Sequence, residues 1–108
     1  MNNKWRKLLY WLRKTFPTDY PITVRCKDKI TKDNDLGMCI QFDDNSIRID
    51  ISNKQCFNLK VDALLHEWAH ALTIDSKNID EHGDDWGKTY SRIYRKFLKW
   101  NFGQEIYE

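Results

Sequence analysis

From Leu59 to Thr73 one stretch carries two helical patterns at once, and they face in opposite directions. Val61, Leu64, Leu65, Trp68 and Leu72 recur at the three- and four-residue spacing of an apolar helix face. His66 and His70 stand one turn apart, roughly 160° around the helix from that stripe at 3.6 residues per turn. A helix built this way buries one face in a core and turns two imidazoles toward something else. Asn58 is its expected N-cap. The small side chains of Ala63 and Thr73 share the histidine side and leave room there.

The rest of the chain supplies the core for that stripe. Lys4 to Phe16 reads as a helix, with Trp5, Leu8, Leu9, Leu12 and Phe16 on one side and Arg6, Lys7, Arg13 and Lys14 on the other. Pro17 ends it, and Pro21 keeps the connection extended. Ile22, Val24 and Cys26 alternate as in a strand. Lys27 to Asp35 is charged and loop-like. Gly37 to Phe42 and Ser46 to Ser52 read as two more strands, with Ile40 and Phe42 alternating on the first and Ile47, Ile49 and Ile51 on the second. Asp43, Asp44 and Asn45 between them form a hairpin turn. A last helix, Asp84 to Trp100, carries Trp86, Tyr90, Ile93, Phe97 and Trp100 as a buried stripe. Asp84 and Asp85 fall in its first turn and Lys96 and Lys99 in its last, as the helix dipole favours. The expected fold is α+β: a helix, a small three-stranded sheet, the histidine helix and a C-terminal helix, in a single domain over residues 1–108.

Composition excludes several alternatives. Aromatics make up 14% of the 108 residues, too many for a disordered chain. No apolar run is long enough to span a membrane, and the basic N-terminal stretch lacks a signal peptide's apolar core, so a soluble, cytoplasmic protein is expected. Cys26, Cys39 and Cys56 are odd in number and contain no C-x-x-C pair, which argues for reduced core or strand residues over disulfides or a cysteine zinc ribbon. The net charge of +2 hides an uneven distribution: +7 over residues 1–32, −2 over 33–60, −6 over 61–85 and +3 over 86–108. Solvated helix faces account for such basic ends. As a binding surface they imply no more than weak, salt-sensitive association with nucleic acid.

The chemistry lies in His66-Glu67-Trp68-Ala69-His70, an H-E-x-x-H motif. Both imidazoles can reach one metal ion, and Glu67 projects beside them where it can touch a water on that ion. Catalytic zinc takes three protein ligands and keeps one position for water. The chain has one further histidine, His82, just before the last helix. Thr73 and Ser76 stand where a metzincin has its glycine and third histidine, which excludes that pattern. Glu81 is the carboxylate alternative. His82 is preferred, because imidazole suits zinc and Gly83 permits a sharp turn into the helix. Tyr90 and Tyr94 are candidates to stabilise a developing oxyanion, although packing suits Tyr90 better. Asp75, Asp80, Asp84 and Asp85 are candidates to orient a ligand histidine, or solvated loop carboxylates.

Leu64-Leu65-His66-Glu67-Trp68-Ala69-His70-Ala71 followed by His82-Gly83-Asp84-Asp85-Trp86 resembles a minimal SprT-like zincin metallopeptidase, related also to WLM-type domains. Leu36-Gly37-Met38-Cys39 and Ile47-Arg48-Ile49 resemble the strand pair before that family's active helix. The likeness covers roughly residues 20–100. It implies a zincin-like fold, Zn2+ held by His66, His70 and His82, Glu67 as general base, and a polypeptide substrate lying extended along an edge strand. The cysteine zinc ribbon and long partner-binding tails common in the family are absent from this sequence. The stripped, Lys/Asn/Ile-rich chain suits a phage or mobile element. Two rival classes are a nucleic-acid-associated module with structural zinc and an inactive zincin retained as an interaction domain. The intact Glu67 counts against both.

Overall fold

The computed structural model describes residues 3–30, 36–76 and 82–107. Its order is α1 (Asn3–Thr15), β1 (Ile22–Lys27), β2 (Gly37–Gln41), β3 (Ile47–Ser52), α2 (Phe57–Leu72) and α3 (Asp84–Gln104). The α+β expectation holds at this level. The sheet is mixed, in the order β1-β3-β2, with β1 parallel and β2 antiparallel to the central β3.

Register decides what each strand buries. Ile47, Ile49 and Ile51 of β3 are fully buried, opposite Ile22, Val24 and Cys26 of β1. On β2 the residues opposite these isoleucines are Gln41, Cys39 and Gly37. Ile40 instead pairs with Arg48 and lies on the other face, since a shift of one residue reverses every side chain. Phe42 falls outside β2, is partly exposed, and sits under the Arg48 guanidinium at 5.2 Å. The alternating pair Ile40 and Phe42 thus does not build the core. The hairpin turn forms as expected: Asn45 takes φ 72°, and Asp44 Oδ1 accepts the Ser46 N–H and hydroxyl.

That second face of the sheet holds a buried charge. Asp50, 4% exposed, accepts two bonds from Arg25, Nε at 2.9 Å and Nη2 at 3.2 Å, and lies 3.2 Å from Arg48 Nε. Burial pushes its carboxyl pKa up, but the Arg25 bond and the Arg48 and Arg25 charges together outweigh it and hold the group below the usual carboxylate range.

Three helices complete the core. Trp5, Leu8, Leu12 and Phe16 join Val61, Leu64, Leu65 and Trp68 in one buried cluster with the β3 isoleucines, Ile93 and Phe97. The Trp68 indole N–H donates to the Phe16 carbonyl at 3.0 Å, so burying the ring leaves no donor stranded. α2 starts at Phe57 with Cys56 as its N-cap residue, so Asn58 lies inside the first turn. Phe57 packs edge-on against Trp5 at 6.3 Å, a tertiary contact that favours the earlier start. Cys56 is exposed there, unlike a core cysteine; Cys26 and Cys39 are half-buried, and none of the three forms a disulfide among the described residues.

α3 runs past Trp100 to Gln104, so Lys96 and Lys99 are not in its last turn. Asn101 explains the later end. Its backbone carbonyl accepts the Glu105 N–H, and its side chain accepts those of Ile106 and Tyr107 at 2.6 and 3.0 Å. Glu105 turns left-handed at φ 53°, and Ile106 drops fully into the core. Tyr107 then donates its hydroxyl to Asp62 of α2. No described helix is long and apolar enough to cross a membrane.

Candidate metal centre

The histidine face of α2 meets the start of α3. His66 and His70 come from adjacent turns of α2, and His82 stands two residues before α3. Their Nε2 atoms form a nearly equilateral triangle: 3.2 Å between His66 and His70, 3.1 Å between His70 and His82, and 3.3 Å between His82 and His66. Among the described residues, this is the one cluster of three or more His, Cys, Asp or Glu close enough to hold a metal ion. Ligand nitrogens at ~2.0–2.1 Å in tetrahedral geometry lie ~3.3–3.4 Å apart, so the triangle fits one such ion.

His82 is brought in by its surroundings. The Ser76 hydroxyl donates to Asp85 Oδ2 at 2.6 Å, joining the segment that leaves α2 to the first turn of α3. Asp75 accepts the Tyr20 hydroxyl at 2.6 Å, which ties the same connection to the segment before β1. That bond raises the Tyr20 pKa. Asp75 and Asp85 therefore have clear structural partners as loop and helix-start carboxylates. Asp80 and Glu81, the carboxylate alternative for the third ligand, lie outside the described residues.

Glu67 is 7% exposed, and its Oε2 lies 3.9 Å from His66 Nε2. It points between α2 and β2. A Cβ placed on Gly37 would stand 3.2 Å from Glu67 Cγ and 3.1 Å from Ile51 Cδ1. Glycine at this position lets the edge strand approach the carboxylate.

Trp86 packs partly buried against the core, as its helical spacing predicts, and it also lines the site. Its ring stacks on His70 at 5.3 Å and 27° and meets His66 and His82 edge-on, each at 4.8 Å. Its N–H reaches the His66 carbonyl at 3.4 Å. One indole thus contacts all three imidazoles as well as the core, a second role that helical spacing alone does not show. The signal was its place four residues after His82. Tyr90 continues the aromatic column, 5.0 Å from Trp86 and 5.9 Å from His66. Burial, then the Asp62 and Tyr94 neighbours, raise its pKa, so it is a neutral hydroxyl at ordinary pH. Tyr94 lies one step further, 6.1 Å from Tyr90.

No family model matches the chain, and comparison with curated proteins and with solved structures finds no significant match.

Proposed function

We propose that the chain is a zinc-dependent, SprT-like metallopeptidase that hydrolyses peptide bonds of a protein substrate. The observation that carries this reading is the Nε2 triangle of His66, His70 and His82 with the Glu67 carboxylate beside it. Three imidazoles are the number of protein ligands that catalytic zinc takes, whereas structural zinc takes four. A module using zinc only as a staple has no need of a carboxylate held beside the ligands.

Zinc held by His66, His70 and His82 would polarise a carbonyl as a Lewis acid and lower the pKa of a water on it towards ~7. Glu67 takes a proton on a carboxylate oxygen and returns it to the leaving amine. Its burial between α2 and β2 limits its rotamers, which keeps the oxygen aimed at the histidines. β2 is an edge strand of the sheet and lies against Glu67, so an extended substrate can add alongside it. Trp86 holds the imidazole planes, and Tyr90 offers the nearest described tyrosine ring to His66.

The test is metal analysis together with cleavage of an unfolded protein. One zinc per parent chain, lost in His82→Ala, and hydrolysis that stops on chelation support the reading. Full zinc in His82→Ala removes that ligand. A zinc-loaded parent that cleaves nothing across a broad panel favours the interaction-domain reading.

A further inference from the structure

A second surface lies at the other end of α3. Trp11 of α1 stacks on Trp100 of α3 at 4.9 Å and 12°, and beside them runs an open groove of about 570 Å³. Tyr10, 67% exposed, and the two tryptophans form its apolar wall, and Arg6, Lys7 and Lys14 stand around it. Trp100 is fourteen residues from Trp86, which is about 20 Å along the helix. The groove is separate from the metal centre.

Its charge is one-sided. Residues 3–15 contain five Lys or Arg and residues 86–104 five more, without one Asp or Glu in either stretch, in a chain whose net charge is +2. These two segments are α1 and the part of α3 beyond Asp84 and Asp85, which lie in its first turn at the end far from Trp100. A groove with apolar walls and a cationic surround complements a ligand that is both acidic and apolar.

We propose that this groove docks an acidic peptide segment of another protein, anchored by a Leu or Phe side chain. A nucleic-acid strand would need open ring faces for its bases. Trp11 spends its ring on Trp100, on Phe16 at 5.7 Å and on Phe97 at 6.2 Å. Lys14 lies over Tyr10 at 5.6 Å. The rings therefore form a wall for aliphatic and aromatic side chains, and the cations recognise carboxylates around them. The site does not rest on the metallopeptidase reading, because it is read by binding and not by cleavage.

The experiment is fluorescence anisotropy on the full chain, zinc-loaded and zinc-stripped. The probes are a labelled peptide alternating Glu with Leu and Phe, the same peptide with Ser for Leu and Phe, and a short oligo-dT. The acidic–apolar peptide should bind in both metal states and best of the three. Lys7→Glu with Lys14→Glu should weaken it about tenfold or more, and Tyr10→Ala about fivefold. Arg95→Glu, elsewhere on α3, should change it less than about twofold. Circular dichroism confirms that each variant is folded. Equal binding of the Ser peptide reduces the effect to general charge attraction and overturns the proposal. So does tighter binding of oligo-dT, no binding of the acidic–apolar peptide, or a folded double variant that binds like the parent.

Discussion

Gly37 and Glu67 are in contact across the boundary between sheet and helix: a Cβ on Gly37 would come within 3.2 Å of the Glu67 Cγ. An edge strand and the proposed general base thus fix each other's position. Gly37→Ala loses chain entropy in the unfolded state, worth about 0.4–1 kcal/mol in favour of folding, and overpacks against Glu67, Ile51 and the Asp50 carbonyl at a cost of about 1–3 kcal/mol. Its stability should therefore fall by no more than about 2–3 kcal/mol. Zinc content should be unchanged, since the three imidazoles lie outside the contact. Cleavage should fall about tenfold or more, because a displaced carboxylate misses its proton. Urea unfolding, metal analysis and a cleavage rate on one preparation check all three.

Trp86→Ala should loosen the metal without removing a ligand. The indole contacts His66, His70 and His82, and losing it frees three rings at once. Groups that orient ligands typically matter about 10–100-fold in metal affinity. Chelator competition should show a loss of that size, with Trp86→Phe between the variant and the parent.

The histidine helix was legible because its information is local. The stripe from Val61 to Trp68 and the opposed His66 and His70 need only the helical period, and all four apolar residues are buried as the period requires. The strands were legible as strands but not in their facing. Ile40 looks like a core residue in its own segment; its pairing with Arg48 across the hairpin puts it on the other face, and the register of that hairpin is not visible in either strand alone. Neither the parallel match of β1 with β3 nor the Asp50 cluster leaves a trace in a five-residue window. The turn at Glu105 was unreadable for the same reason. A left-handed glutamate is unfavourable alone, and the burial of Ile106 and the bond from Tyr107 to Asp62 compensate it from a distance. Trp86 packs against the core as an aromatic at helical spacing does; its contacts with the three imidazoles depend on where the fold brings His82 and leave no mark in that spacing.

Asp50 gives a pH-dependent term with a definite sign. Its folded pKa is held below the unfolded value of about 3.9, so its contribution is present above that value and is lost as pH falls through the folded one. Arg25 is 39% exposed, and solvent screens part of the pair. Asp50→Asn should cost about 1–2 kcal/mol at pH 7. Denaturant curves at descending pH should show that the difference from the parent shrinks below about pH 4.

Tyr107→Phe should destabilise by about 1–2 kcal/mol, because the Asp62 carboxylate loses the hydroxyl it accepts. Burial, then that bond, raise the Tyr107 pKa well above the ordinary value of about 10. A raised pKa stabilises fully below the unfolded value and is lost as pH climbs above it. Parent stability should thus decline more steeply than that of the variant above about pH 10. Tyrosinate absorbance during alkaline titration should show one fewer late-ionising tyrosine in Tyr107→Phe.

Zinc should stabilise the chain through the helix junction it would close. An ion bound by the folded state alone contributes by mass action, about 2.7 kcal/mol at a free concentration a hundred times its dissociation constant. The candidate ligands come from α2 and from His82, two residues before α3, so binding would tie together the same pieces as the Ser76–Asp85 bond. Calorimetry should show a higher Tm with zinc than with chelator, and the gap should close in His82→Ala. Ser76→Ala should lower Tm slightly under chelation and less so with zinc, because the ion then holds the junction that the hydroxyl helped to hold. An equal loss in both conditions would mean that metal and hydroxyl act on separate parts of the fold.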